Sequence, residues 1–155
     1  NLYGYVEKAI YNVTALAQNT NTTIINRIDE ELLVKGVPAY LDSIILNFLT
    51  NAIKYRSEER QSKVEISSTN KDQFVVLKIE DNGVGIDLEK YGKKLFHMYK
   101  TFHSNKDAIG LGLFMTKNHI ESMGGKVEVK SEVGVGSEFL IYLKGVEQKS
   151  PLDIN

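Results

Sequence analysis

The sequence predicts an α/β protein, a two-layer sandwich in which helices cover one face of a mostly antiparallel sheet. Three observations carry this. Apolar residues recur at helical spacing near the start of the chain, from about residue 41 to 55, and from 116 to 123. Short β-branched or alternating segments lie between and after these stretches, paired across tight polar turns. The order helix, strands, helix, hairpin, loop, helix, hairpin leaves a sheet with one face to cover, and helices laid on that face do so most economically.

Leu2 to Ala17 places Tyr3, Val6, Ile10, Val13 and Leu16/Ala17 at helical spacing, one amphipathic helix ended by the polar cluster Gln18 to Thr23. Thr22 to Ile28 is β-branched and reads as a strand, with a briefer one at Leu32-Leu33-Val34. Gly36 and Pro38 punctuate the approach to the long apolar helix, Pro38 lying where a first turn tolerates it. Arg56 to Ser62 is charged and unpatterned, a loop. Val64 and Ile66 alternate with polar neighbours, and a turn at Asn70-Lys71-Asp72 leads into Phe74 to Glu80, an antiparallel hairpin. Thr116 to Met123 reads as a helix closed by Gly124-Gly125. Val127 and Val129 then pair with Phe139, Ile141 and Leu143 around Gly134 and Gly136. One domain is expected over 1–145, with 146–155 a tail of dissolving pattern.

A chain of 155 residues can bury a core of its own, and 42% hydrophobic with 25% charged residues is the balance of a water-soluble globular protein. The formal net charge of -1 gives no nucleic-acid or membrane-binding surface. The absence of cysteine excludes disulfides and thiolate metal sites and fits a reducing compartment. No apolar stretch is long enough to cross a bilayer, and no signal-peptide pattern opens the chain. The first residue is Asn1 rather than methionine, so a piece of a longer protein is expected, upstream of which membrane spans or sensor segments could lie.

Within Leu46-Asn47-Phe48-Leu49-Thr50-Asn51-Ala52-Ile53-Lys54-Tyr55, a pitch of 3.6 residues puts Asn47, Asn51 and Lys54 on one narrow stripe. Leu41, Ile45, Phe48, Leu49 and Ala52 cluster opposite. An unsatisfied buried amide costs about 1–3 kcal/mol, so these amides need partners. Neighbouring loops or ordered water would serve. Two Asn one turn apart beside a Lys also suit an oxygen-rich anion carrying a hard cation. An Asn carbonyl suits Mg²⁺, and an ammonium neutralises phosphate as a point charge.

Three glycine-rich segments follow. Asp81-Asn82-Gly83-Val84-Gly85-Ile86 ends a strand with a carboxylate where the backbone can approach a flat ligand. An ionised Asp only accepts hydrogen bonds, so it would attract the exocyclic amine of adenine and repel the carbonyl of guanine; a plain Asx turn is the other reading. Ala108-Ile109-Gly110-Leu111-Gly112-Leu113 opens the next helix, where backbone N–H groups make an anion site or glycines allow close packing. Its spacing is neither the dinucleotide fingerprint nor a P-loop. Gly134-Val135-Gly136-Ser137 is explained by turn geometry. Between the first two, Asp87 to Ile109 carries Tyr91, Phe96, Tyr99, Phe102, His103 and Lys106, a lid-like connection with a short helix expected at Leu95 to Tyr99. Lys100, His103 or Lys106 could reach phosphate.

In this order the motifs resemble the catalytic ATP-binding domain of two-component sensor histidine kinases. That domain belongs to the superfamily (GHKL, or HATPase_c) that also holds gyrase, the heat-shock chaperone ATPases and the mismatch-repair ATPases. The likeness runs from the first helix to Leu143. It implies a mixed sheet packed against three helices, the Bergerat ATP-binding fold, with ATP and Mg²⁺ held between helix and lid. Asn51 would ligate Mg²⁺, Asn47 would support metal and phosphates, Lys54 would contact phosphate, and Tyr55 would flank adenine. Asp81 would bind the adenine amine, with Gly83, Gly85 and Ile86 shaping the loop. Phe96 would anchor the lid, and Gly110, Leu111, Gly112 and Leu113 would hold the phosphates. The family often has glycine where Ala108 stands, which bears on lid closure.

In the ATPase relatives an acidic residue four before the metal-binding Asn activates water. Asn47 cannot accept a proton near neutral pH, so hydrolysis should be suppressed and ATP kept for transfer to a histidine. His97, His103 and His119 lack the context of a phosphoacceptor helix. The resemblance therefore implies a cytoplasmic kinase fragment, from a parent that could be membrane-tethered. It would phosphorylate the acceptor helices of that parent, and through them a response-regulator receiver domain, in signal transduction. An anti-sigma-type serine kinase and a degenerate, non-catalytic binding module are the alternatives.

Overall fold

The computed structural model describes residues 1–96 and 107–147, and of residues 107–112 the backbone alone. The stretch expected to be one amphipathic helix is two: α1 (Leu2–Asn12) and α2 (Thr14–Asn19). Asn12, Val13 and Thr14 are all weak helix formers. The chain bends at Val13, whose N–H is shared by the Ala9 and Ile10 carbonyls at 3.2 Å each. Strand β1 (Thr22–Asn26) stops short of Ile28, because the Asn26 side chain takes the Ile28 N–H at 3.0 Å and turns the backbone. Strand β2 is only Val34–Lys35.

Helix α3 (Pro38–Lys54) starts on its proline, whose missing N–H is one of the orphans of a helix start. Its buried side chains are Leu41, Ile44, Ile45, Phe48, Leu49, Ala52 and Ile53, somewhat more of its circumference than the expected stripe. The hairpin is β3 (Ser62–Lys71) and β4 (Phe74–Asp81), turning at Asp72, which adopts φ 53. A one-turn helix α4 (Leu88–Tyr91) is followed by turns through Phe96. The helix expected at Leu95–Tyr99 is thus absent at Leu95 and Phe96, and residues 97–99 lie outside the described ones. Helix α5 (Asp107–Ser122) begins nine residues before the expected Thr116, so the segment Gly110-Leu111-Gly112 lies within the helix rather than in a loop before it. Strands β5 (Lys126–Glu132) and β6 (Gly136–Gly145) complete the chain.

The six strands form one mixed sheet in the order β1-β3-β4-β6-β2, with β5 beside β2 on the far edge of β6. Only β1 and β3 are parallel, Thr22 opposite Ser62, and α3 lies in the connection between them. Helices α1, α3 and α5 pack side by side with α3 in the middle, giving the two-layer sandwich. Alternation sends Val64, Ile66, Leu77, Ile79, Phe139 and Ile141 into the core beneath α3. Phe48 meets Phe139 there at 4.9 Å between ring centroids. The same parity brings Asp81 and Ser137, directly paired across β4 and β6, to the helix face where these strands leave the core.

Candidate functional site

That end of the sandwich holds a narrow cavity of about 60 Å³, lined by Asn51, Ala52 and Tyr55 of α3, Leu113 of α5, Asp81, Gly85 and Ile86 after β4, and Ser137 and Phe139 of β6. Its walls are largely apolar, and a carboxylate, an amide and a hydroxyl converge on it. This composition suits a flat heteroaromatic ligand.

Asp81 is the chemical centre. Burial pushes its carboxyl above the usual aspartate range, and hydrogen bonds from the Gly83 and Ser137 N–H groups offset part of that rise. The Gly83 N–H donates to Asp81 Oδ1 at 2.9 Å, the Asx turn read in the sequence. Turn and ligand site are therefore compatible readings of one residue.

The glycines fit because backbone crowds them. A Cβ on Gly83 would overlap the Tyr55 carbonyl oxygen, which also accepts the Val84 N–H at 3.0 Å. Gly85 has φ 74, and a Cβ there would overlap the Glu132 carbonyl. The loop is thus clamped between the end of α3 and the β5–β6 hairpin. A third clamp has no forewarning in the sequence pattern. Arg60 donates from Nε to the Asn82 carbonyl and from Nη2 to the Gly83 carbonyl, each at 2.7 Å. The Asn82 side chain also joins the Gln61 carbonyl and the Lys63 N–H, both at 2.8 Å.

The β5–β6 hairpin takes part as well. Ser131 Oγ accepts the Ile86 N–H at 2.7 Å and lies 2.7 Å from Ser137 Oγ. A Cβ on Gly136 would overlap the Asp81 carbonyl. Turn geometry alone therefore does not account for Gly136-Ser137, since Ser137 is a wall of the cavity. The sequence signal was available in the alternation that puts Ser137 on the face of Phe139.

On α3 the expected stripe divides. Asn51 and Tyr55 line the cavity, whereas Asn47 and Lys54 do not. Asn47 instead donates from Nδ2 to Thr116 Oγ1 of α5 at 3.0 Å. Lys54 Nζ lies 5.5 Å from the Tyr55 ring centroid. Phe96 packs edge-on against Phe139, ring centroids 6.5 Å apart, with Lys117 Nζ 5.9 Å from its ring. Tyr99, Lys100, Phe102, His103 and Lys106 lie outside the described residues, as does His97; so do the side chains of Ala108 and Leu111.

No group of three or more His, Asp or Glu side chains able to hold a metal is present among the described residues. The donors at hand are amide oxygens. These fit Mg²⁺ held chiefly by a ligand's phosphates, with one or two protein oxygens completing its shell. A wider trough of about 500 Å³ opens beside Lys63, Glu65, Glu80, Lys130 and Glu138. Two of its carboxylates are engaged by surface cations, Glu65 by Arg27 at 2.7 Å and Glu80 by Lys78 at 3.2 Å.

Residues 36–147 match the family model described as histidine kinase-, DNA gyrase B-, and HSP90-like ATPase. The chain belongs to this family. Within it, the catalytic domains of sensor histidine kinases are what the chain is similar to. The sensor protein RprX of Bacteroides fragilis is 31% identical over 108 residues, covering 67% of this chain and 21% of that protein. Hybrid signal transduction histidine kinase B of Dictyostelium discoideum is 35% identical over 115 residues, 70% of this chain and 6% of that protein. The ATPase domain thus spans about a fifth or less of the length of these relatives. The catalytic domain of histidine kinase ThkA, nucleotide-free, shares its fold with a TM-score of 0.80 at 21% identity, over 95% of this chain and 96% of that one. Full-length ShkA in complex with AMPPNP does so with a TM-score of 0.79 at 22% identity, over 96% of this chain and 31% of that one.

Proposed function

We propose that this domain binds Mg-ATP with the adenine in the Asp81 cavity and donates the γ-phosphoryl to a histidine on a phosphoacceptor helix outside this chain, in two-component signalling. The observation that carries the reading is a half-buried carboxylate at the wall of a largely apolar slot. An ionised Asp81 accepts from the adenine amine and disfavours guanine. Ala52, Ile86, Leu113 and Phe139 supply the faces for the ring, and Tyr55 closes one end. Asn51, one turn from Asn47 on α3, leads out of the slot to the phosphates. Lys54 acts there with the first-turn backbone of α5 as far as Gly110, the N–H groups of Leu111 and Gly112 being used within the helix, and Phe96 packs on the cavity wall at Phe139.

Magnesium, bound with the nucleotide, supplies charge neutralisation at the phosphates, and Asn51 is its protein ligand. The chain's own residues otherwise bind, orient and exclude water. An amide at position 47 has no basic site for a water proton near neutral pH, which favours transfer over hydrolysis. The receiver domain of a response regulator takes the phosphoryl group in a later step, and the reaction belongs to the cytoplasm.

Calorimetric titration with ATP and Mg²⁺ tests the reading. Saturable binding by the wild type is expected, and Asp81→Asn should weaken it about 10- to 100-fold, the worth of a hydrogen bond to a charged partner. Equal ATP affinity in the two proteins would exclude the adenine assignment.

A further inference from the structure

Thr116 is completely buried, at 0% exposure, on α5. Its neighbours along that face of the helix are Leu113 and Ile120, both buried in the core. A valine would fill such a place without a polar atom, and a buried hydroxyl is unfavourable unless it is bonded. Its partner here is Asn47, which donates from Nδ2 at 3.0 Å. A threonine hydroxyl within a helix can turn its proton to the carbonyl one turn back, which keeps lone pairs for an incoming N–H. Once Nδ2 is engaged in this way, the free end of Asn47 is a carbonyl oxygen. An oxygen acceptor repels phosphate oxygens and attracts a hard cation or the donors of its hydration shell.

We infer that Thr116 is a positioning residue: by holding the Asn47 amide through Nδ2 it turns the Asn47 carbonyl toward magnesium, so that Asn47 serves the cation rather than the phosphates. This rests on the nucleotide site proposed above. Helix α5 carries both Thr116 and the first-turn backbone ending at Gly110, so the orientation of Asn47 and the helix start are set by one element. The Tyr40–His119 stack, 4.3 Å between ring centroids and 10° between planes, fixes the same α3–α5 pair about one turn further along α5 and two turns back along α3.

The test is ATP affinity measured by calorimetry in Mg²⁺ and again in EDTA. The readout is the ratio of the two, which a general loss of packing does not move. Thr116→Val should leave the affinity in EDTA unchanged and cut the gain from Mg²⁺ about fivefold, the worth of one hydrogen bond. Thr116→Ser, which restores the hydroxyl, should keep the wild-type ratio. Thr116→Cys, similar in shape and a poor acceptor, replaces the valine variant should that one fail to fold. A wild-type ratio in Thr116→Val or Thr116→Cys, or a wild type that binds ATP with no gain from Mg²⁺, would overturn the inference and leave the nucleotide site standing. A wild type that binds no ATP in either buffer would remove both.

Discussion

At the scale of single residues, Asp81 ties folding to pH, and through the adenine site proposed above it should tie nucleotide affinity to pH as well. Its carboxyl is raised by burial, so between the usual aspartate value and the raised one the folded chain holds more proton than the unfolded chain. Stability without ligand should therefore fall as pH rises through that window and level off above it. Affinity runs the other way, because the adenine amine needs an ionised acceptor. ATP binding should tighten as pH climbs through the raised value, with proton release on binding, and Asp81→Asn should lose this dependence; titrations in buffers of different ionisation enthalpy check both. Asp81 was legible in the sequence because strand, carboxylate and glycines stand in a row. Thr116 and Arg60 were not. Both are polar residues whose partners lie more than twenty positions away, Asn47 for Thr116 and Asn82 for Arg60, and local pattern holds no trace of such pairings.

At the scale of elements, the Asp81 loop owes its shape to three neighbours: the C-terminal turn of α3, the β5–β6 hairpin and the connection after α3. The Arg60 fork belongs to the last of these. Its two bonds use a charged donor, yet Arg60 is exposed, which discounts them. Arg60→Met should cost about 1 kcal/mol in urea unfolding and weaken ATP binding about fivefold. Unchanged affinity would show that α3 and the hairpin hold the loop unaided. The long elements were readable from periodicity, including Pro38 at the start of α3, whereas the one-turn α4 was not and the helix expected at Leu95 is absent there. Element ends were less so. The bend at Val13 depends on three weak helix formers in succession, and α5 runs through Gly110 and Gly112 although glycine is a poor helix former. The parallel pairing of β1 with β3 also escaped the pattern, since alternation reports which face a side chain takes and not which strand lies alongside.

At the scale of the molecule, the described residues of the two-layer sandwich bring no histidine to the proposed ATP site. His119, the one histidine among the described residues, stacks on Tyr40 with its Nδ1 buried. Incubated alone with radiolabelled ATP, the chain is expected to acquire no acid-labile phosphate; label on this chain would require a nucleophile within it. The kinase resemblance was legible because four short motifs occur in a fixed order over most of the chain, where any one would have been ambiguous.

The lone parallel pairing has a kinetic consequence. Thr22 and Ser62 lie forty positions apart, and closing so long a loop costs entropy before any ladder forms to offset it. The β3–β4 hairpin closes within a few residues. In a pulse-labelling refolding experiment the amides of β4 should gain protection before those of β1, so the strand that ends in Asp81 would be paired well before the sheet is sealed at its outer border.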